Sequence, residues 1–212
     1  MTQKNGDHLR KQPTQERAQA TVERIVSASG RVLACHGYSG CSTNRIADEA
    51  GVSKGSIYQY FADKDEILTQ LAQTTMNKVM SDVGAAIDVH LGGDLMKLGR
   101  CVLEASFDTI ELHQPVLQPL LLEAPHIDVI GMTASIRQRA QDIARAYIAM
   151  KPGEFRTDLD SEAMIFVLFT TLTATMVSYL TGTTDLSRER ITATLTQLAA
   201  ECLTSPGPAP AG

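Results

Sequence analysis

The stretch GVSKGSIYQYF, residues 51–61, decides the fold because it encodes a tight turn followed by a very short helix. Gly51 is expected to end the preceding helix, and Ser53 is a favourable N-cap for the next one. Ile57 and Phe61 fall on one side of this helix and are its only residues typical of a core. The opposite side is polar, which indicates a surface that is kept for a partner.

Two helices are predicted upstream of this stretch. The first covers residues 14–36, where apolar or small residues recur at three- and four-residue steps, and Gly37 is expected to end it in a left-handed conformation. Ser42 should cap the second helix, residues 43–50, whose inward positions include Ile46 and Ala47. Two short helices joined by a glycine-containing turn form a helix-turn-helix, and its second helix fits the major groove of B-DNA.

The polar groups around this motif match the chemistry of DNA. Lys54 suits guanine or a phosphate, Gln59 suits adenine, and Ser56 suits a base edge or a phosphate. Tyrosine hydroxyls donate well to phosphates, glycine lets the backbone approach closely, and helix N-termini attract phosphate. The residues predicted to contact DNA are Thr43, Asn44, Lys54, Gly55, Ser56, Tyr58, Gln59, Tyr60 and Lys64.

The rest of the chain also has helical periodicity. Asp63 and Glu66 predict the capped start of a long fourth helix that ends before Gly92. Further helices are predicted from Asp94 to about residue 113 and over 127–150, 160–181 and 187–203. Prolines 115, 119 and 125 are expected to break the region between residues 113 and 126 into short pieces.

Composition agrees with a globular helical protein. The chain has 212 residues, 43% of them hydrophobic and 20% charged, and it contains no Trp. Its net charge of −5 is unevenly distributed: seven Lys or Arg residues against three acids up to Arg45 give +4, which leaves −9 for the remainder. This asymmetry favours a small anion-facing module attached to an acidic body.

Several other classes of protein are not favoured by the sequence. The first 13 residues are polar, so no secretory signal is expected. Cys35, His36 and Cys41 lack a fourth ligand at zinc-site spacing, so neither a metal nor another cofactor is predicted. An enzyme is not predicted either, because only Cys35 and His36 suggest a nucleophile and base, and neighbouring helix positions do not face each other.

Residues 163–180, AMIFVLFTTLTATMVSYL, are uncharged and only just long enough to span a membrane. Four threonines and a serine interrupt the apolar residues, and acids lie just upstream. We therefore predict a helix buried on nearly all sides and no membrane partner.

Residues 24–68, RIVSASGRVLACHGYSGCSTNRIADEAGVSKGSIYQYFADKDEIL, resemble the N-terminal domain of TetR-family transcriptional regulators. The match is carried by Gly37-Tyr38, Ser42, Ile46-Ala47, Ala50-Gly51-Val52-Ser53, Gly55, Tyr58, Tyr60-Phe61 and Lys64. The departures are mild: Val32-Leu33 stands where the family often has Leu-Phe, and Cys41 directly precedes the cap.

The resemblance implies an all-α protein that forms a homodimer on a palindromic double-stranded operator and binds a small effector. It implies DNA contacts at the nine positions named above. The expected organisation is a disordered arm (1–13), a three-helix helix-turn-helix DNA-binding domain (14–62), a larger helical effector-binding and dimerisation domain (63–203) and a disordered tail (204–212). The expected function is a cytoplasmic repressor released from DNA by its effector. A redox-sensing regulator that uses Cys101 or Cys35, and a ligand-responsive activator, remain as alternatives.

The C-terminal domain yields two predicted sites. The candidate effector-binding residues combine apolar surface with a few polar groups: Phe107, His113, Glu123, His126, Met132, Phe166, Phe169, Thr170, Met176 and Tyr179. A dimer is predicted because one recognition helix contacts too few base pairs for specificity. Its interface is predicted to consist of four helices, the last two of each subunit. Its predicted residues are Phe166, Phe169, Thr173, Met176, Val177, Ile191, Leu195, Leu198 and Cys202.

Overall fold

The computed structural model describes residues 12–90, 94–150 and 160–203, and these ranges contain helices but no strand. The eight α-helices are α1 (Gln12–Gly40), α2 (Thr43–Ala50), α3 (Lys54–Tyr58), α4 (Lys64–His90), α5 (Leu95–Glu123), α6 (Ala134–Met150), α7 (Ser161–Leu180) and α8 (Arg188–Leu203). One 3₁₀ turn, Gly131–Thr133, precedes α6. The predicted all-α class is confirmed, with a three-helix N-terminal domain followed by a larger helical one.

The first three helices pack around a small apolar core. Ile25 and Leu33 of α1, Ile46 of α2 and Ile57 of α3 are fully buried, and Phe61 just after α3 is nearly so. The inward positions predicted for α2 and α3 are therefore confirmed. Burial of a side chain of this size stabilises the fold by about 1.5–3 kcal/mol, which is how a helix of five residues is held in place.

Local caps define the turn between α2 and α3. The Ser42 hydroxyl accepts the N–H of Arg45, and the Ser53 hydroxyl accepts the N–H of Ser56. Gly51 lies in the left-handed region at φ 62° and ψ 40°, where a side chain would be strained. The α3 helix ends at Tyr58, earlier than the expected end near residue 61.

Three further helices differ from the sequence prediction. Helix α6 begins at Ala134 and not near residue 127, because the 3₁₀ turn Gly131–Thr133 precedes it. Helix α1 begins at Gln12 and continues to Gly40 across a kink at Gly37, whose φ is 65°. Helix α5 runs unbroken to Glu123 through Pro115 and Pro119, so the expectation of short pieces there is wrong. A proline removes one backbone hydrogen bond, and here the packing of α5 on α1 and α4 outweighs that loss. The predicted disordered segments lie outside the described residues, except that residues 12 and 13 begin α1.

Helix α5 is the central element of the larger domain and contacts α1, α4, α7 and α8. Its Phe107 is fully buried and packs edge-on against Tyr179 of α7, with 4.9 Å between the ring centroids. Tyr179 donates a hydrogen bond to Glu111, and Arg188 of α8 also contacts Glu111. These contacts tie the last two helices to α5.

Helix α7 is not buried on nearly all sides, so that expectation is wrong for the single chain. Within the described residues, Glu162–Leu180 is the one helix long and apolar enough to cross a membrane, judged by length and composition alone. Only 17% of its most apolar window is buried, and the side chains of Phe166 and Val167 are 48% and 57% exposed. The sequence could not distinguish burial inside the chain from burial against something else.

Candidate nucleic-acid interface and ligand cavity

The outer face of α3 presents polar groups with no competing partner. Lys54, Gln59 and, at the start of α2, Asn44 are exposed, and in the described part of the chain their side chains make no hydrogen bond or ion pair. Tyr58 is 52% exposed although it lies beside the fully buried Ile57. The short helix therefore separates a packed side from a side available to a ligand.

The neighbouring predicted contacts are partly engaged with each other. The hydroxyl oxygens of Thr43 and Tyr58 lie 3.4 Å apart, which brings the start of α2 next to α3. The hydroxyl oxygens of Ser53 and Ser56 lie 2.8 Å apart. Gly55 is exposed, whereas Tyr60 is half-buried against the core. These residues form one continuous surface around the helix-turn-helix.

Lys64 differs from the other predicted DNA contacts. Its ammonium lies 3.7 Å from the centroid of the Tyr38 ring and donates to the Tyr38 carbonyl at 3.3 Å. The side chain is half-buried, so its charge is directed at α1. This contact was not predictable from the sequence, because Tyr38 and Lys64 are far apart along the chain.

Arg24 is a positioning residue that the sequence analysis did not identify. Its guanidinium donates to the carbonyls of Ala50 at 2.8 Å and Gly51 at 3.2 Å. These are the last carbonyls of α2 and its cap, which no helix hydrogen bond satisfies. Arg24 therefore joins the middle of α1 to the turn that orients α3.

A cluster that we call the Tyr38 junction connects the two domains; it comprises Tyr38, Lys64, Asp65, Glu123 and His126. The Tyr38 hydroxyl donates to Asp65 at 2.9 Å and lies 3.4 Å from Nε2 of His126. His126 Nε2 is 3.3 Å from the Asp65 carboxylate. Burial, followed by the Asp65 hydrogen bond, raises the pKa of the Tyr38 hydroxyl, which keeps it a donor.

Glu123 closes the same junction from the end of α5. Its carboxylate accepts the backbone N–H groups of Tyr38 at 3.1 Å and Ser39 at 3.3 Å. These N–H groups become available because the kink at Gly37 interrupts the helical ladder of α1. The C-terminal end of α5 is thus bonded to the C-terminal end of α1.

The larger domain contains an apolar cavity of about 200 Å³ between α4, α5, α6 and α7. Its α4 wall includes Met76, Val79, Met80, Val83 and Ile87, residues that the sequence indicated only as an apolar helix face. The segment containing Val129, Ile130 and Thr133 forms another part of the wall. A predominantly apolar lining of this kind is typical of a small-molecule site.

The structure does not bring the ten predicted effector residues together. Phe169 and Met176 line the cavity. Glu123 and His126 belong to the Tyr38 junction, and Phe107 and Tyr179 pack on each other. Phe166 and Thr170 are exposed on α7, Met132 is half-buried against the core, and His113 is half-buried facing Asp82 and Lys78. Polar residue type alone did not locate the cavity.

The predicted dimer residues also divide between the surface and the interior. Phe166 and Leu198 are exposed, Cys202 is half-buried, and Ile191 and Met176 are buried in the chain's own core. Thr173, Val177 and Phe169 line the cavity, and Leu195 packs partly against the core. The exposed apolar part of these helices is therefore narrower than predicted, and it includes Val167, which the prediction omitted.

All four cysteines are free thiols. Cys41 is buried, and burial raises its pKa, which favours the unreactive thiol form. Cys35 is exposed, and Sγ of Cys101 lies 3.5 Å from Nε2 of His90. Among the described residues, no group of three or more His, Cys, Asp or Glu side chains could hold a metal ion.

Comparison with known proteins finds a family match for the N-terminal helices. Residues 25–71 match the model of bacterial regulatory proteins of the tetR family. A helix-turn-helix transcriptional regulator of Haemophilus influenzae is 38% identical over 67 residues, which cover 32% of this chain and 36% of that protein. The transcriptional activator FasR of Mycolicibacterium smegmatis is 29% identical over 114 residues, 54% of this chain and 51% of FasR.

The alignments with these two relatives thus span about half of their length or less. The fold extends further: the structure of FadR from Bacillus subtilis, solved in complex with stearoyl-CoA, superposes with a TM-score of 0.64 at 20% identity. That superposition covers 84% of this chain and 97% of FadR. Residues 25–71 thus match the N-terminal domain of the tetR family of bacterial regulatory proteins, and the chain as a whole shares the helical fold of FadR.

Proposed function

We propose that the protein is a cytoplasmic transcriptional regulator that binds a palindromic operator as a homodimer and leaves it when a small molecule enters the cavity. The observation that carries this proposal is the division of α3 into a buried side and an exposed polar side. The exposed side chains of Lys54 and Gln59 do not contribute to packing of the core, so their placement on this helix favours a role in binding a partner.

The proposed DNA surface consists of the start of α2 and the outer face of α3. Lys54 and Gln59 have no side-chain partner among the described residues and are of the kinds that read guanine and adenine edges in the major groove. Thr43, Tyr58 and Ser56 carry hydroxyls suited to phosphates. Lys64 is assigned a smaller part than the sequence suggested, because its ammonium is engaged with Tyr38.

A second copy of the chain is the proposed partner of α7 and α8. Operators read by a helix-turn-helix have two half-sites, which a two-fold symmetric dimer matches. Phe166 and Val167 on α7 and Leu198 on α8 are large apolar side chains left exposed in the single chain. We therefore centre the proposed interface on these three residues, and leave the buried Ile191 and Met176 to the internal core.

The proposed coupling between cavity and DNA runs through α4 and the Tyr38 junction. Helix α4 forms one wall of the cavity, and its first turn carries Asp65, which contacts His126 and Tyr38. His126 precedes the cavity-lining Val129 by three residues. A ligand that displaces either wall shifts α4 relative to α1 and changes the spacing of the two recognition helices. A coupling of about 1–3 kcal/mol is sufficient for such a switch.

A cysteine-based switch is the second candidate, and the contact between Cys101 and His90 is the observation that favours it. Histidine beside a thiol can promote the reactive thiolate. Under this alternative, alkylation with N-ethylmaleimide alters DNA binding in the wild type and not in Cys101→Ser. Under the ligand mechanism, both proteins bind DNA equally well after alkylation.

The direct test uses duplex DNA from the regions flanking the gene that encodes the chain, because such regulators often lie beside what they control. Fluorescence anisotropy should detect binding by the wild type that the Lys54→Ala/Gln59→Ala double variant loses. Lys97→Ala, in an exposed position on α5, is the matched control and should bind as the wild type does. Equal binding by the wild type and the double variant would overturn the assignment of α3. A reporter gene under the same DNA separates repression from activation.

A further inference from the structure

The interior of the cavity offers an entering ligand very few hydrogen-bonding groups. Its hydroxyl side chains are Ser106, Thr133 and Thr173. Each already donates to a nearby backbone carbonyl: Ser106 to Val102 at 2.7 Å, Thr133 to Ile130 at 2.7 Å and Thr173 to Phe169 at 2.9 Å. A polar group placed inside would lose its water without gaining a donor, which is costly. The interior therefore favours an apolar ligand.

A second apolar cavity, of about 280 Å³, adjoins the first. The two share a wall of five apolar side chains: Ile87, Val102, Ile143, Phe169 and Leu172. In the second cavity the Thr196 hydroxyl is also occupied, since it donates to the carbonyl of Thr192 at 2.7 Å. A molecule that fills both spaces must reach past these shared side chains, which suits a long, narrow apolar chain better than a compact ligand.

Arg139 is the charged residue in the lining of the first cavity. It also lines an exposed groove with Asn77, Ser81 and Asp88, so it stands where the cavity meets solvent. Asp88 is the acid of that groove, yet it forms no ion pair with Arg139 in the described part of the chain. An anion that enters this groove can therefore accept hydrogen bonds from the guanidinium.

Other arginines of α6 have different partners. Arg145 pairs with Asp142 and Glu162, and Arg137 lies 5.9 Å from the centroid of the Phe166 ring. Arg139 has neither an acidic nor an aromatic partner among the described residues. What sets Arg139 apart is its position at the mouth of the cavity, where its guanidinium is exposed.

We propose that the effector is an elongated molecule with an apolar chain and an anionic head, whose chain occupies the two adjoining cavities and whose head binds Arg139. This inference rests on the proposed function for the meaning of the cavity, and it adds the chemical class of the ligand. A free carboxylic acid and a thioester carrying phosphates both present this chemistry, and the experiment distinguishes them.

The test measures direct binding to the purified protein, without DNA, by isothermal titration calorimetry with decanoate and with decanol. These probes share the chain and differ in head charge. The wild type should bind decanoate more tightly than decanol. Arg139→Ala should weaken decanoate binding about tenfold, the size of one charged hydrogen bond near a surface, while its affinity for decanol stays that of the wild type. Arg137→Ala is the matched control on the same helix and should retain wild-type affinity for both probes.

The role of the ligand's apolar chain is tested by comparing the affinities of hexanoate, octanoate and decanoate. Each added methylene that becomes buried should tighten binding by roughly three- to fourfold. Decanoyl-CoA forms the second arm: tighter binding than decanoate identifies the thioester as the source, and weaker binding identifies the free acid. Equal affinity for decanoate and decanol, no effect of Arg139→Ala, or no dependence on chain length would each overturn the proposal, provided the variants melt at the wild-type temperature.

The two proposals fail in different measurements. Binding of decanoate that depends on Arg139 but leaves DNA affinity unchanged supports the ligand class and contradicts effector release. Operator binding that no member of the probe series alters, combined with no heat of binding, overturns the ligand class and leaves the DNA surface standing.

Discussion

At the scale of single residues, Ile57 and Tyr58 show how adjacent positions on α3 serve different ends. Ile57 is fully buried among the side chains of α1 and α2, whereas Tyr58 is 52% exposed beside the start of α2. Successive positions on a helix are separated by about 100°, so a single step moves a side chain from the core to the surface. Stability and DNA binding should therefore be separable by substitution.

Replacing Ile57 with Ala should lower the free energy of unfolding by about 2–5 kcal/mol, because it removes buried methyl groups and leaves a cavity. Tyr58→Ala should change that free energy by less than about 0.5 kcal/mol, as exposed sites usually do. Urea unfolding followed by circular dichroism measures both. Similar losses in the two variants would contradict the orientation of α3.

Lys54 should contribute to DNA affinity through its charge. Lys54→Ala should weaken operator binding and reduce the slope of log affinity against log salt concentration by about 0.9 if the residue contacts a phosphate. If it reads guanine instead, the loss should be concentrated on the cognate sequence. Lys97→Ala on α5 is the control. A variant whose affinity and salt slope both match the wild type would remove Lys54 from the interface.

His113 should make stability depend on pH. Burial, the largest cause, lowers the pKa of His113 below its usual 6.5; the charge of Lys78 lowers it further, and Asp82 opposes the shift. Its Nε2 is buried and has no hydrogen-bond partner in the part of the chain that the structure describes. Because the unfolded chain takes up the proton first, His113 contributes stability above pH 6.5 that is lost as pH falls through the folded-state pKa.

The variant His113→Gln should therefore lose less unfolding free energy between pH 7 and pH 5 than the wild type does. His36→Gln, at an exposed position, should follow the wild type. Chemical denaturation at the two pH values measures the difference. Identical pH dependence in His113→Gln and the wild type would show that another group is responsible.

At the scale of the elements, the sequence predicted most helix boundaries because the determinants are local. Ser42, Ser53 and Asp160 cap the helices that follow them, and Gly51 ends α2 as expected, in a left-handed conformation. Asp63 also behaves as expected, accepting the N–H groups of Asp65 and Glu66 at the start of α4. Each of these helix ends depends on residues within about one helical turn of it.

Elements whose form depends on distant packing were not predictable in this way. Pro115 and Pro119 indicate breaks locally, but α5 continues because α1 and α4 pack along it. Glu123 and His126 looked like ligand-binding groups because they are polar residues beside an irregular region. Their partners, Tyr38 and Asp65, are far away in the sequence, so only the fold reveals the junction.

The Tyr38 junction should behave as one energetic unit. Tyr38→Phe removes the hydroxyl that contacts Asp65 and His126, and His126→Ala removes a second partner of Asp65. A double-mutant cycle on unfolding free energy should give a coupling of at least about 0.5 kcal/mol, as contacting residues do. Tyr38→Phe combined with Arg145→Ala is the control and should be additive within about 0.5 kcal/mol. Additivity of the first pair would mean that the junction is not a unit.

At the scale of the whole molecule, the exposed apolar face of α7 is the feature that one chain leaves unexplained. Burial of α7 was predicted from its apolar composition alone, and composition does not show whether the helix packs within its own chain or against another molecule. The cavity was equally hidden, because its lining residues have the same periodicity as a filled core. A sequence pattern identifies an apolar helix face. The packed structure is needed to show whether that face lies in the core, lines a cavity or remains exposed for an interface.

Phe166→Asp should convert the proposed dimer to a monomer, because it places a charge at the centre of the apolar contact between α7 helices. Analytical ultracentrifugation at micromolar concentration measures the change. Val89→Asp, at an exposed valine near the end of α4, is the matched control and should leave the dimer intact. A Phe166→Asp variant that sediments as the wild type does would place the interface elsewhere.

The central claim is that the exposed face of α3, carried twice by a symmetric dimer, reads DNA. Selection of duplexes from a random library by the purified full-length chain tests it most directly. The account predicts enrichment of an inverted repeat whose half-site centres lie about one helical turn apart or a multiple of it. It also predicts loss of that enrichment in the Lys54→Ala/Gln59→Ala variant. Enrichment of no sequence, or of the same repeat by wild type and variant alike, would contradict it.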